Sequence, residues 1–168
     1  IARSGLSIDG IWGKHTITKN ISVATELTQL NRSNMAFDLC LLTVKSYDTS
    51  AVVSMLARTI ADPPPVLSLQ NGLGNLEMIE AVLGRKKTIG GRVIFGVEYK
   101  MPGLVTVTVV ADKTYIGGLK AGIAGAHVAE IARLFTDAGI PTVATEDIQR
   151  FIWGKALYNC ALNPLATI

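Results

Sequence analysis

The order of elements written into residues 37–83 constrains this chain more than any other feature. Residues 37–44, Phe-Asp-Leu-Cys-Leu-Leu-Thr-Val, form a short apolar run of the kind that a parallel sheet buries on both faces. The spacing predicts a helix over about Thr49–Ala61, with Val52, Val53, Leu56 and Ile60 on one face and Asp62-Pro63-Pro64-Pro65 stopping it. A strand returns at Val66–Leu69, followed by Gln70-Asn71-Gly72-Leu73-Gly74-Asn75 and a second helix over about Leu76–Leu83. Strand, helix, strand, helix at these intervals specifies an α/β layer with right-handed crossovers.

After Gly90 the pattern changes. Arg92–Glu98, Val105–Val110 and Thr114–Ile116 read as strands joined by short connections at Met101-Pro102-Gly103 and Ala111-Asp112-Lys113, which suits antiparallel pairing. A helix over about Ala126–Ala138 follows, with Val128, Ile131, Phe135 and Ala138 on one face and Gly139 ending it. Pro141–Ala144 adds a short strand. From Asp147 a helical pattern runs to Ile168, with Pro164 bending or breaking it after Asn163. Upstream, weak alternation over residues 15–30 (Thr16, Thr18, Ile21, Val23) suggests short strands, and no internal repeat is found.

Composition narrows the function classes. With 49% hydrophobic and 17% charged residues, the chain is too apolar for a disordered tail. No apolar run approaches the ~18 residues that a membrane-crossing helix needs, so no membrane role is expected. The net charge of +3 is small, and its one cluster, Arg85-Lys86-Lys87, lacks a basic face or interleaved aromatics. It reads as a solvated turn, not a nucleic-acid contact. Cys40 and Cys160 lie in apolar segments and read as small buried hydrophobes; a cytoplasmic location is expected, and no residues are assigned to a metal.

Chemistry concentrates in the last predicted helix. Lys155, Asn159 and Asn163 recur every four residues, so they rise along one face with a drift of about 40° per step. Lys155 is the one charge between Phe151 and Ile168, so the helix should be buried nearly all round and the stripe hydrogen-bonded. Asn71 lies in a glycine turn between a strand and a helix, where open α/β sheets bind ligands; it serves either a ligand or as the cap of the next helix. Gly72-Leu73-Gly74 is not a phosphate loop, because Glu77 stands where the third glycine of a dinucleotide fingerprint belongs. Lys45, ending the strand before Ser46-Tyr47-Asp48, either points into that crevice or is solvated.

Together, Val44-Lys45-Ser46-Tyr47-Asp48, Gln70 through Asn75, and Trp153-Gly154-Lys155 through Asn159 to Asn163-Pro164-Leu165 resemble the signature segments of the ketopantoate reductases. They occur in that family's order, and Gly5-Leu6 matches too. The resemblance implies NADPH-dependent reduction of a small-molecule 2-oxo acid, ketopantoate, in pantothenate and coenzyme A biosynthesis. By the same token Lys155 is the catalytic lysine, Asn159, Asn163 and Asn71 bind substrate, and Lys45, Asn71 and Gly96 contact the cofactor. A homodimer is compatible with it.

The implied fold is α/β: a truncated Rossmann-like sheet with an antiparallel β extension (residues 1–146), then the first helix of an all-helical C-terminal domain (residues 147–168). The glycine-rich phosphate loop, the arginine for the cofactor's 2′-phosphate, and a glutamate and serine expected further on have no counterpart here. Arg3 lies too close to Gly5-Leu6 for that arginine's role. The chain therefore reads as an inactive fragment of its parent enzyme. Another 2-oxo or 3-hydroxy acid dehydrogenase of the same plan, or a non-catalytic module that self-associates through an unpaired sheet edge, are the competing readings.

Overall fold

Two sheets organise the chain in the computed structural model, which describes residues 1, 4–31, 36–119 and 125–165. In chain order, β1 (Leu6–Gly10), β2 (His15–Ile17) and α1 (Leu27–Asn31) lead to β3 (Cys40–Leu42), α2 (Thr49–Thr59), β4 (Val66–Ser68) and α3 (Asn75–Leu83). Next come β5 (Thr88–Arg92), β6 (Phe95–Met101), β7 (Leu104–Val110) and β8 (Thr114–Gly118). The chain closes with α4 (Gly125–Asp137), β9 (Thr142–Ala144) and α5 (Ile148–Leu165).

The principal sheet has the order β3-β4-β5-β8-β9. Strands β3, β4 and β5 run parallel, β8 is antiparallel to β5, and β9 is parallel to β8. Consecutive residues of β4 point to opposite faces and found separate cores. Val66 packs with Val53 and Leu56 of α2, Leu76 and Ile79 of α3, and Ile148 of α5. Leu67 packs with Ile89, Ile116, and Val128 and Ile131 of α4. A mostly parallel segment covered by helices on both faces is the Rossmann-like core that the sequence implied, with the predicted α2 face (Val52, Val53, Leu56, Ile60) turned inward.

Several expectations are corrected. Arg92–Glu98 is not one strand: β5 ends at Arg92, and β6 begins at Phe95 in the second sheet, β2-β1-β7-β6. Two consecutive glycines in β5 hide its strand signal. Residues 15–30 hold one strand at His15–Ile17 and then α1, while β1 joins parallel to β7. On α4, Ala132 takes the buried place expected of Ala138, which is exposed. Cys160 is exposed and Cys40 only half-buried.

Helix α5 continues through Pro164. The proline sits in the last turn, where the one hydrogen bond it forfeits, to the exposed Cys160, is open to solvent. Nor is α5 buried all round: Trp153, Leu157 and Leu165 are exposed, because its contacts with the sheet come from β5 and β8 near its start. The predicted end at Ile168, and Arg3, lie outside the described residues.

Glycines bring α5 to the sheet. A Cβ on Gly90 would stand 2.6 Å from Leu76 Cδ1 and 3.2 Å from Ile148 Cγ1, and one on Gly117 would stand 2.4 Å from the Thr145 carbonyl oxygen. Bare backbone at these positions admits Ile148, which is fully buried, and so sets where the rest of α5 begins.

Candidate functional site

The turn after β4 is held by side chains from the neighbouring strand end. Gly72 and Gly74 adopt φ of 93° and 86°, the left-handed region that this tight turn requires. The Asn71 carbonyl accepts from Ser46 Oγ at 2.9 Å and from Asn75 Nδ2 at 3.0 Å. Asn75 is buried and accepts from Thr49 Oγ1 at 3.0 Å. Gln70 Nε2 donates to the Val44 carbonyl and to Thr49 Oγ1, each at 2.8 Å. The β3–α2 and β4–α3 connections are thereby locked together, with the Asn71 side chain left free of the lock. Asn71 does not cap α3; Gly74 occupies that position without a side-chain bond.

Across from it stands Lys155. Its Nζ donates to Asn71 Oδ1 and to the Val93 carbonyl, both at 2.6 Å. An ammonium carries three N–H groups, so one donor remains for a ligand. Burial holds the Lys155 ammonium below its ordinary pKa, and the positive charge of Arg92 pushes it the same way. Among the described residues no carboxylate pairs with it.

Arg92 is only 8% exposed. Its Nη2 bonds Asp112 Oδ2 at 2.8 Å, and its Nη1 reaches weakly towards the Lys113 carbonyl at 3.4 Å. The guanidinium carbon lies 4.7 Å from the Tyr115 ring centre and 5.5 Å from that of Phe151. Those rings stack with centroids 3.9 Å apart. The Arg92 bond holds the Asp112 carboxyl below its usual pKa, with the Lys113 backbone N–H helping. Arg92, Asp112, Phe151, Lys155 and Tyr158 line one open hollow of about 450 Å³.

Of the residues singled out from sequence, the fold brings Lys155 and Asn71 into contact. Lys45 is exposed in the β3–α2 connection, directly before the Ser46 that holds Asn71. Asn159 is half-buried and Asn163 exposed, one and two further steps along α5, and neither makes a side-chain hydrogen bond among the described residues. Gly96 lies in β6 opposite Val109, where a Cβ would stand 2.9 Å from Thr108 Oγ1. Arg85 and Lys87 pair with Glu80 and Asp62, as a solvated turn would.

Arg92, the Val93 carbonyl and the Asn75–Thr49 pair escaped the reading of the sequence. A lone arginine closing a run of threonine, isoleucine and two glycines was the available signal for the first. The other two come from a strand end and a paired fold contact, which leave no local pattern.

Residues 1–121 match the family model described as "Ketopantoate reductase PanE/ApbA". A 2-dehydropantoate 2-reductase of Aquifex aeolicus is 34% identical over 97% of this chain and 51% of its own length. One of Pyrococcus horikoshii is 35% identical over 100% of the chain and 52% of its own. Among solved structures, the 2-dehydropantoate 2-reductase of Geobacter metallireducens superposes with a TM-score of 0.82 at 26% identity, over 95% of this chain and 50% of that one. The chain thus spans about half the length of the relatives it matches. On the family match and these identities, the chain belongs to the ketopantoate reductase PanE/ApbA family.

Proposed function

We propose that the protein carrying this chain is a cytoplasmic, NADPH-dependent 2-dehydropantoate 2-reductase, with Lys155 as the proton donor. The observation that carries this reading is the Lys155 ammonium held between Asn71 Oδ1 and the Val93 carbonyl with one N–H to spare. In this assignment residues 1–146 form the cofactor-binding side of the cleft and residues 147–168 begin the helical domain.

The chain has features that suit one end of a dinucleotide. The glycine turn lies at the end of the parallel strand β4, and a Cβ at Gly74 would meet nothing within 4 Å, so a ligand can approach the backbone there. Lys45 beside that turn would meet cofactor phosphate or ribose, and Gly96 would contribute backbone. When bound, NADPH supplies the hydride for the ketone carbon.

The remaining work falls to the chain's own side chains. As negative charge builds on the ketone oxygen, the free N–H of Lys155 donates to it and then gives up the proton. The depressed pKa makes that ammonium a stronger acid than a solvated lysine. Asn71 fixes the ammonium without neutralising it, because an amide oxygen carries no charge to transfer. Asn159 and Asn163, on the same helix, orient the substrate's carboxylate and hydroxyl.

The test is Lys155→Ala in the full-length protein, with NADPH consumption followed on 2-dehydropantoate and a panel of other 2-oxo acids. Turnover should fall by about 10²–10⁴, the usual contribution of a positioned general acid. Near-normal turnover would remove Lys155 from the mechanism, and activity confined to other acids would change the substrate.

A further inference from the structure

We propose that Arg92 is the positioning residue for Lys155, holding the Val93 carbonyl and the first turns of α5 around the ammonium and setting a second positive charge beside it. The inference rests on the assignment of Lys155 above.

Arg92 ties together the elements that define the position of Lys155. It ends β5, and the next residue, Val93, supplies the carbonyl that accepts from Lys155 Nζ. Through Asp112 and the Lys113 carbonyl it is anchored to the β7–β8 turn. Its guanidinium lies against Phe151, one helical turn before Lys155 on α5, and against Tyr115 of β8, which stacks on Phe151. A planar, permanently charged group that can stack and bond at once suits this junction, whereas a lysine there would keep the charge but lose the fork.

The same placement has an electrostatic consequence. The charged and titratable groups around the hollow are Arg92 from β5, Asp112 from the β7–β8 turn, Tyr115 from β8, and Arg150 and Tyr158 from α5. Arg92 is the buried cation of this set, so its field is screened least by solvent. It favours loss of the Lys155 proton, while Asp112, bonded to the guanidinium, offsets part of that charge.

The two partners therefore predict shifts of opposite sign. In the full-length protein, the pKa of Lys155 can be read without turnover, from the pH dependence of its labelling by an amine-reactive reagent followed by mass spectrometry. Arg92→Gln should move that titration to higher pH, because a repelling charge is gone. Asp112→Asn should move it to lower pH, because Arg92 is then unneutralised, and Arg92→Lys should restore much of the wild-type value.

Loosening of the fold alone would let water reach Lys155 and move both variants upward. Upward shifts in both, or no shift in either, overturn the proposal. If Arg92→Gln does not fold, Asp112→Asn and Arg92→Lys carry the test alone. The kcat of Lys155→Ala on the same preparation separates the two failures: retained turnover defeats the assignment of Lys155, whereas the labelling result judges Arg92 by itself.

Discussion

Asn71 and Lys155, 84 positions apart in sequence, meet at 2.6 Å between Oδ1 and Nζ. The contact joins the turn after the parallel strand β4 to helix α5, which packs on β5 and β8, and in the role proposed for Lys155 it matters that the acceptor is neutral. A carboxylate in place of the amide would form an ion pair, favour the charged ammonium and raise the pKa of Lys155. Asn71→Asp is therefore expected to lower kcat while moving its alkaline limb to higher pH, since the lysine stays protonated further up the scale but surrenders its proton less readily. A pH–rate profile of the full-length protein checks this. A limb that stays in place would mean that the amide does not set the state of the lysine.

Behind Asn71, the buried Asn75 bonds both the Asn71 carbonyl and Thr49 Oγ1. Asn75→Ala removes those partners and leaves a buried hydroxyl short of an acceptor, a loss of about 1–3 kcal/mol. Thermal unfolding should show the drop in stability. Ser46 still donates to the Asn71 carbonyl in this variant, so part of the turn should survive, with a rise in KM larger than the fall in kcat.

The docking of α5 makes a separate prediction. At Gly117 an added Cβ would stand 2.4 Å from the Thr145 backbone oxygen and 3.2 Å from Ile148 Cβ. Backbone cannot step aside as a flexible side-chain end can. Gly117→Ala should destabilise by about 1–3 kcal/mol, as overpacking does, and should push the start of α5 away from the sheet. Gly154 offers the control: it lies on the same helix with nothing within 4 Å of its Cβ position, so Gly154→Ala should leave the melting temperature unchanged or raised.

How much of this was legible in the residues follows from how local each signal is. The β3-α2-β4-α3 succession was readable because apolar runs and a proline stop are written over a few consecutive positions, and Val53, Leu56, Val66 and Ile79 are buried as their spacing demands. β5 was lost because Gly90 and Gly91 carry no side-chain pattern; their reason for being glycine lies in Leu76 and Leu69, across the fold. Lys155 stood out as a lone charge in an apolar helix and Asn71 as the polar residue of a glycine turn. Their meeting was not visible from either segment. Trp153 and Leu157 show the converse limit: a helix apolar on every side announces burial, but not which part of a protein supplies the cover.

Arg92 and Asp112 also make stability depend on acid. The Asp112 carboxyl is held below its ordinary pKa chiefly by the Arg92 hydrogen bond. A carboxyl depressed in the folded state adds stability that is fully present above the unfolded value of about 3.9 and is lost as pH falls through the lower native value. Because the Asp112 side chain is 43% exposed, solvent screening limits the contribution to about 0.2–1 kcal/mol. Denaturant titrations from neutral pH into that acid window should show the wild-type chain losing this increment and Asp112→Asn, which has no proton to take up there, lacking it throughout. Added salt should shrink the difference only modestly, since the guanidinium lies buried against Tyr115 and Phe151. Equal acid sensitivity of the two proteins would mean that the Arg92–Asp112 bond adds nothing to the fold and serves only to orient the arginine.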